Sequence, residues 1–252
     1  MKEIFLDNKK IMHFKKITST NTVLKEMARQ GEAEGTILIS EHQTNGRGRL
    51  GKSFFSPDGC GIYLSYLLRP EIRPENSVFI TVAAAVALVN ALKSVFSIDT
   101  KIKWVNDIYY NDKKLSGILT EGSISDNNTL NFAILGVGIN IKTPPEGYPE
   151  EFSCRTTNLK EILGTEIEEE KKQQLIKEFI KNFDSLFSDD TRSYVKEYKD
   201  LSALIGREIE ILSGEHAGHA EAVDIDENAR LIVKKGGKKI PLDSGDVSIR
   251  FN

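Results

Sequence analysis

Two cysteines, Cys60 and Cys154, are all that the 252 residues contain, which excludes a disulfide framework and fits a reducing compartment. An excess of one charge is missing too. The chain has 34 Lys and Arg against 37 Asp and Glu, a formal net charge of -3, so no global basic field draws it to nucleic acid. No uncharged run reaches the roughly 20 residues of a bilayer span. The longest, which takes in Ser77 to Leu92, is interrupted by Thr81 and Asn90 and reads as a buried helix. The N-terminus, Met1-Lys2-Glu3-Ile4-Phe5-Leu6-Asp7, lacks the apolar run of a signal peptide. There is no internal repeat and no low-complexity segment. These exclusions leave a cytoplasmic protein without membrane or nucleic-acid partners, long enough for one sizeable core and a small second domain.

Against that background the stretch Gly46-Arg47-Gly48-Arg49-Leu50-Gly51-Lys52-Ser53 stands out. It satisfies two phosphate-binding patterns at once, G-x-x-x-x-G-K-S and G-x-G-x-x-G. Both need a strand before the glycines and a helix after them, because the helix N-terminus supplies the N–H groups that hold the phosphate. A strand at Thr36 to Ser40 fits. A helix does not, because Ser53-Phe54-Phe55-Ser56-Pro57-Asp58-Gly59 places Pro and Gly where its first turn would extend. The string is expected to be a glycine-hinged flap that closes over an anion. It would present Arg47, Arg49 and Lys52, with backbone N–H groups exposed at Gly46 and Gly48.

Thr18-Ser19-Thr20-Asn21 caps a helix running to about Gln30, stopped by Gly31. A strand over Ile62 to Leu68 and a long helix over roughly Glu75 to Phe96 follow. Strands are expected at Lys101 to Trp104, Leu115 to Glu121 and Leu130 to Ile141, with a hairpin turn at Asn111-Asp112-Lys113. Asn158 to Leu163 reads as a short helix and Glu168 to Phe187 as a long amphipathic one. From about Leu201 the chain changes to short β-rich runs: Arg207 to Leu212, Ala220 to Ile225, Leu231 to Lys234 and Val247 to Phe251. About 50 residues of this kind suggest a small closed barrel. The fold class is α+β, a mixed or antiparallel sheet with segregated helices (residues 1–200) followed by a small all-β domain (residues 201–252).

The hairpin bears Lys103, Asn106, Asp107 and Lys114 near its ends. Strand alternation would put Lys103 and Val105 on one face and Trp104 on the other. Alone it could be a surface hairpin with a solvated lysine pair. Together with the cationic flap it suits a bound polyanion.

These segments, in this order, resemble biotin protein ligases. The resemblance rests on Gly46 to Lys52, Lys103-Trp104-Val105-Asn106-Asp107, Lys114-Leu115-Ser116-Gly117-Ile118-Leu119 and Gly136-Val137-Gly138-Ile139-Asn140, with Ser19-Thr20-Asn21 and Glu41-His42-Gln43 in support. It covers nearly the whole chain and implies a class II synthetase-like catalytic domain with an SH3-like C-terminal barrel. Three positions depart from the family pattern: Val105 where Pro is usual, Lys52 where Arg is common, and Phe54 where Trp is frequent. Lys52 replaces a bidentate fork with a point charge; none of the three removes a reacting group.

The resemblance implies a two-step reaction. Biotin's carboxylate attacks the α-phosphate of ATP-Mg2+ to give biotinyl-5′-AMP, and a lysine of a biotin carboxyl carrier protein then takes the biotinyl group. Lys114 and Arg49 are the catalytic candidates. Biotin contacts are expected from Ser19, Thr20, Asn21, Gln43, Gly46, Arg47, Gly48, Arg49 and Lys114. ATP contacts are expected from Arg49, Lys52, Phe54, Lys103, Asn106 and Asn140, and Asp107 is a candidate magnesium or amine partner. Thr18 to Asn21 also suits a plain helix cap, and a cap residue can face a pocket. A homodimer paired through sheet edges is compatible with the family, and a lipoate or octanoate ligase of the same fold is the alternative reading. Only 18 residues precede Ser19, too few for the DNA-binding domain of the family's bifunctional members, so operator binding is not expected.

Other features read more simply. His216 and His219 are loop histidines with no third ligand nearby. Lys234-Lys235-Gly236-Gly237-Lys238-Lys239 is a Gly-Gly hairpin with solvated lysines. A DNA patch there, or weak docking of an acidic carrier, are the other readings.

Overall fold

The computed structural model describes residues 2–6, 9–243 and 249–251. Its first half is built from short apolar runs that alternate with turn residues: β1 (Lys2–Leu6), β2 (Lys9–Phe14), α1 (Thr20–Arg29), β3 (Ile37–Ser40), β4 (Gly61–Leu68), α2 (Val78–Phe96), β5 (Lys101–Lys103), β6 (Asp107–Tyr110), β7 (Lys113–Ile124) and β8 (Leu130–Asn140). Four helices follow, α3 (Glu150–Ser153), α4 (Leu159–Leu163), α5 (Glu169–Phe187) and α6 (Tyr194–Asp200). The chain then forms β9 (Glu208–Ile211), β10 (Gly218–Ile225), β11 (Leu231–Lys235), β12 (Lys238–Leu242) and β13 (Ile249–Phe251).

The first eight strands make one sheet in the order β1-β2-β3-β4-β8-β7-β6-β5. Among the described strands β2 and β3 pair in parallel and the other neighbours of this sheet antiparallel, so the sheet is mixed. The last five make a second, antiparallel sheet in the order β12-β11-β10-β9-β13. Of the expected run Val247 to Phe251, Ile249–Phe251 is a strand and Val247 lies outside the described residues.

Alternation along the central strands sorts the core onto two faces. Ile62, Leu64, Tyr66 and Leu68 of β4, with Ala133, Leu135, Val137 and Ile139 of β8, pack under α2 and α5. Leu67, Phe132 and Ile134 face the other way and meet Leu24 and Ala28 of α1. Pro74–Phe96 is long and apolar enough to cross a bilayer, yet 78% of its apolar window is buried inside the fold. It is a core helix.

Several expectations need correction. The hairpin β1–β2 was not legible, because its Lys- and His-bearing strands are short and lack a clean apolar alternation. The strand from Lys101 stops at Lys103, and Trp104 and Val105 enter a turn in which both are buried. They therefore do not alternate between faces. The Trp104 indole N–H donates to the Ala229 carbonyl (2.8 Å) and the Val105 carbonyl accepts from Tyr198 (2.8 Å). These bonds, with backbone pairing of Ile102 to Leu201 and Ala203, seat the C-terminal sheet against the hairpin.

The turn chemistry follows composition. Asn111 and Asp112 both take positive φ (47° and 61°) between β6 and β7, as do Gly236 and Gly237 (58° and 80°) between β11 and β12. These are positions that Asn, Asp and Gly tolerate best. The second hairpin places Lys234 opposite Lys239 and Lys235 opposite Lys238.

Candidate active site

A cavity of about 780 Å³ lies on the α1 face of the large sheet. Its origin is a change of side-chain size along β8. Phe132 and Ile134 fill that face under α1, but the next two residues of the same face are Gly136 and Gly138. Pairing extends the gap sideways. Gly136 lies between Ser65 of β4 and Leu119 of β7, and Gly138 lies between Tyr63 and Gly117. The same rung continues through Asp107 to Lys103. Residues paired across antiparallel strands share a face, so Tyr63, Gly138, Gly117, Asp107 and Lys103 form one row on the cavity floor.

Lys114 would not join this row by simple alternation, since it sits three residues from Gly117. A β-bulge re-aims it. Ile108 pairs with Ser116 but Tyr109 pairs with Lys114, with the register shifting between them, and such irregularities redirect a side chain. Lys114 Nζ consequently lies 2.8 Å from Asp107 Oδ1 and 5.7 Å from the centroid of the Phe54 ring. Asp107 Oδ1 is buried and meets the ammonium without the alignment of a hydrogen bond. The Lys114 backbone is clasped as well: its N–H donates to Arg155 and its carbonyl accepts from Thr157.

The flap forms as an irregular hairpin. Arg47 and Ser53 make an antiparallel bridge, and Phe54 N–H donates to the Gly46 carbonyl (2.9 Å). No α-helix follows, in line with Pro57 and Gly59. Leu50 (φ 53°) and Gly51 (φ 73°) turn the tip. A side chain at Gly46 would come within 2.3 Å of the Phe54 carbonyl, so this glycine serves close packing. The Gly48 N–H donates to the Lys52 carbonyl (2.7 Å) and is not available to a ligand, contrary to the expectation.

Most of the expected residues meet in this cavity. Its lining includes Ser19, Thr20, Asn21 and Gln43 at one end, and Arg47, Gly48, Arg49, Lys52, Phe54, Lys103, Asn106, Asp107 and Lys114 toward the other. Ser19 caps α1 by accepting from Thr22 N–H, so cap and wall coincide. Gln43 Oε1 accepts from the Thr20 N–H (2.8 Å) and hydroxyl (3.1 Å). Arg49 donates to Asn106 Oδ1 (3.2 Å), and Asn106 donates to the Ile118 carbonyl (2.7 Å).

Two expected residues are not on the wall. Gly46 is buried beneath the flap. The Asn140 amide donates to the carbonyls of Thr157 (3.1 Å) and Lys114 (3.4 Å), which suits a brace for Lys114 better than a nucleotide contact.

Sequence reasoning missed Tyr63, Tyr109, Phe152, Arg155 and Leu212, all of which line the cavity. Leu212 lies just after β9 of the C-terminal sheet and Phe152 in the four-residue helix α3, whose composition carries no signal. A clue to the floor was present: Ser65 is the one small polar residue in the apolar strand Ile62 to Leu68.

Electrostatically the floor is divided. Burial lowers the Lys103 pKa to about 8, with Asp107 opposing the shift and Lys114 reinforcing it. Burial also lowers the Arg49 pKa, and Asp107 again opposes. A preorganised positive wall therefore meets a neutral polar end made by Ser19, Thr20, Asn21 and Gln43. Among the described residues no group of three His, Cys, Asp or Glu is placed to hold a metal.

Comparison with known proteins places this arrangement. The Biotin/lipoate A/B protein ligase family matches residues 13–140, and the Biotin protein ligase C terminal domain matches residues 204–250. The chain is 36% identical over 152 residues to the bifunctional ligase/repressor BirA of Bacillus subtilis, covering 60% of this chain and 46% of the relative. It therefore spans about half the length of that relative. It is 29% identical over 238 residues to the biotin--[acetyl-CoA-carboxylase] ligase of Mycobacterium tuberculosis, covering 91% of this chain and 85% of the other. The structure of biotin protein ligase from Aquifex aeolicus in complex with biotin and ATP superposes with a TM-score of 0.80 at 27% identity, over 96% of this chain and 99% of that one. The chain belongs to the biotin/lipoate A/B protein ligase family and carries that family's biotin protein ligase C-terminal domain.

Proposed function

We propose that the protein is an ATP-dependent biotin protein ligase acting on a carboxyl carrier protein. One observation carries the reading: Arg47, Arg49, Lys52, Lys103 and Lys114 share a single cavity with Ser19, Thr20, Asn21 and Gln43. Biotin's ureido ring is neutral and needs hydrogen bonds within an enclosed wall, which the second group supplies. Its carboxylate must approach a triphosphate, and the cations offset that repulsion.

In the first step a biotin carboxylate oxygen bonds to the α-phosphorus of MgATP, the bond from that phosphorus to the bridging oxygen breaks, and pyrophosphate leaves. A magnesium ion bound with the nucleotide would supply neutralisation of phosphate charge. Mg2+ is commonly held by one or two carboxylates besides phosphates and water; Asp107, a partly buried carboxylate on the cavity floor, would fit that requirement. In the second step the carrier lysine, as a free amine, attacks the acyl carbon and AMP leaves. Asp107 is the carboxylate suited to take the amine's proton. Lys114 is assigned to the carboxylate and the developing acyl-phosphate oxygens, Arg49 to both ligands, and Lys52, Lys103, Phe54 and Asn106 to the nucleotide. Arg47 serves the biotin end.

The C-terminal domain match supports biotin over lipoate. Incubation of a carrier protein with MgATP and either acid tests this. Mass analysis should show the biotinyl adduct on one lysine and none with lipoate or octanoate; preferential lipoylation would overturn the assignment.

The depressed Lys103 pKa gives a second expectation. In the protein alone Lys103 loses its proton as pH rises through about 8, whereas a bound triphosphate holds it charged. Nucleotide affinity should therefore fall with rising pH, by up to about tenfold from pH 7 to pH 9 through linkage. Calorimetric titration with ATP at the two pH values measures it. Lys103→Arg, always charged, should flatten the profile.

A further inference from the structure

Glu121 lies on β7, in the rung formed with Leu67 and Ile134. It does not line the main cavity. It lines a second one, of about 340 Å³, between the flap and the start of α2. Its side chain is only 15% exposed, and the proposed chemistry does not use it.

Three groups surround this carboxylate. Arg47 Nη2 lies 3.1 Å from Oε1, Asn21 Nδ2 donates to Oε2 at 3.0 Å, and Lys25 Nζ lies 4.0 Å from Oε1. The Asn21 contact leads into a continuous network. Asn21 Oδ1 accepts from the Ser65 hydroxyl, Ser65 neighbours Thr20 Oγ1 at 2.7 Å, Thr20 donates to Gln43, and Gln43 donates to Ser56 at 3.0 Å. Ser56 in turn donates to the Phe54 carbonyl. The network joins both strands of the flap's base, through Phe54 on one and Arg47 on the other.

Arg47 lines both cavities, so its guanidinium can serve an anion on either side. Its side chain is 49% exposed, and a pair with one exposed partner is weak and exchangeable. Departure of Arg47 would not strand a buried charge, which is the usual cost of breaking such a pair, because Glu121 keeps the Asn21 amide and the neighbouring Lys25.

From this network we propose that Glu121 is a positioning residue that competes with the main cavity's anion for Arg47 and thereby anchors the flap. It also fixes the Asn21 amide, directing its carbonyl oxygen to Ser65. The identity of that anion as biotin rests on the function proposed above; the anchoring does not.

Two measurements separate these parts. Trypsin is applied to the protein alone, and cleavage after Arg49 and Lys52 is followed by mass analysis. Glu121→Gln keeps the side chain's size and an oxygen for Asn21 but removes the charge, and should speed this cleavage several-fold. Arg47→Gln, an exposed change, should do the same. Unchanged cleavage in both variants overturns the anchoring whether or not biotin binds.

Calorimetric titration with biotin then tests the competition. Glu121→Gln should tighten binding up to about fivefold, the range of a partly exposed ion pair, and in the Arg47→Gln background it should have no effect. Weaker binding, or the same effect in both backgrounds, would reduce Glu121 to a support for Asn21 and overturn the competition. Biotin failing to bind the unaltered protein, with cleavage still rising in the variants, would fault the ligand assignment and leave the anchoring intact.

Discussion

Replacing Lys114 with methionine should lower the rate of adenylate formation about 100- to 1,000-fold, since a preorganised donor at a developing negative charge is worth roughly 3 kcal/mol. Methionine retains length and apolar volume above Gly117 and Phe54, both of which approach the lysine stem. What it removes is the ammonium 2.8 Å from Asp107. That carboxylate loses its ion-pair partner, so some stability is lost as well, on the order of 1–3 kcal/mol for a buried polar group left without a partner. A single-turnover assay on protein shown to be folded separates the two effects. Lys114→Arg should not restore the rate, because the planar fork cannot occupy the point position that the bulge creates. If the methionine variant formed adenylate at the normal rate, Lys114 would have no part in the first step.

A single methyl group on the cavity floor should be nearly as damaging. In Gly136→Ala the new Cβ would stand 2.2 Å from Asn21 Oδ1. Asn21 cannot step aside cheaply, because its amide is held by Ser65 and Glu121. Displacing it breaks the network: buried Ser65 loses Asn21 and keeps only Thr20 Oγ1, and the biotin end loses the Asn21 wall. This should weaken biotin binding about 10- to 100-fold, the effect of about 1–3 kcal/mol of lost polar contact. Calorimetric titration with biotin reads this directly. ATP binding should change far less, since the cationic wall is built on Lys103 and Lys114 at the other end. Equal losses for both ligands would mean that the substitution had unfolded the sheet and not blocked one end of the site.

The legible and illegible parts of the site divide along a physical line. Local chemistry could be read directly: the cap at Ser19, the turns at Asn111-Asp112 and Gly236-Gly237, the buried character of Val78–Phe96 and the absence of a helix after Ser53. The cations of the flap and hairpin were identifiable because their residue types suit few other purposes in such spacing, and the family resemblance located most of the wall. Placement by register was not readable. Nothing in Lys114-Leu115-Ser116-Gly117 announces the bulge that turns Lys114 onto the Gly117 face. Asn140 belongs to a matching motif, yet its amide is committed to the carbonyls of Lys114 and Thr157, a fact set by the chain segment that pairs beside β7. Leu212 and Phe152 reach the cavity only through the packing of distant elements.

The mixed sheet places anion-binding groups and a neutral polar pocket on adjacent rungs, and the bulge at Lys114 joins them. Two negatively charged substrates should therefore be condensed inside one cavity. Native mass measurement after incubation with biotin and MgATP is the most direct check. A protein species heavier by one biotinyl-5′-AMP is expected, stable until a carrier protein is added and then lost as the carrier gains biotin. Recovery of unmodified protein with intact ATP and free biotin, from a sample that remains folded, would contradict it.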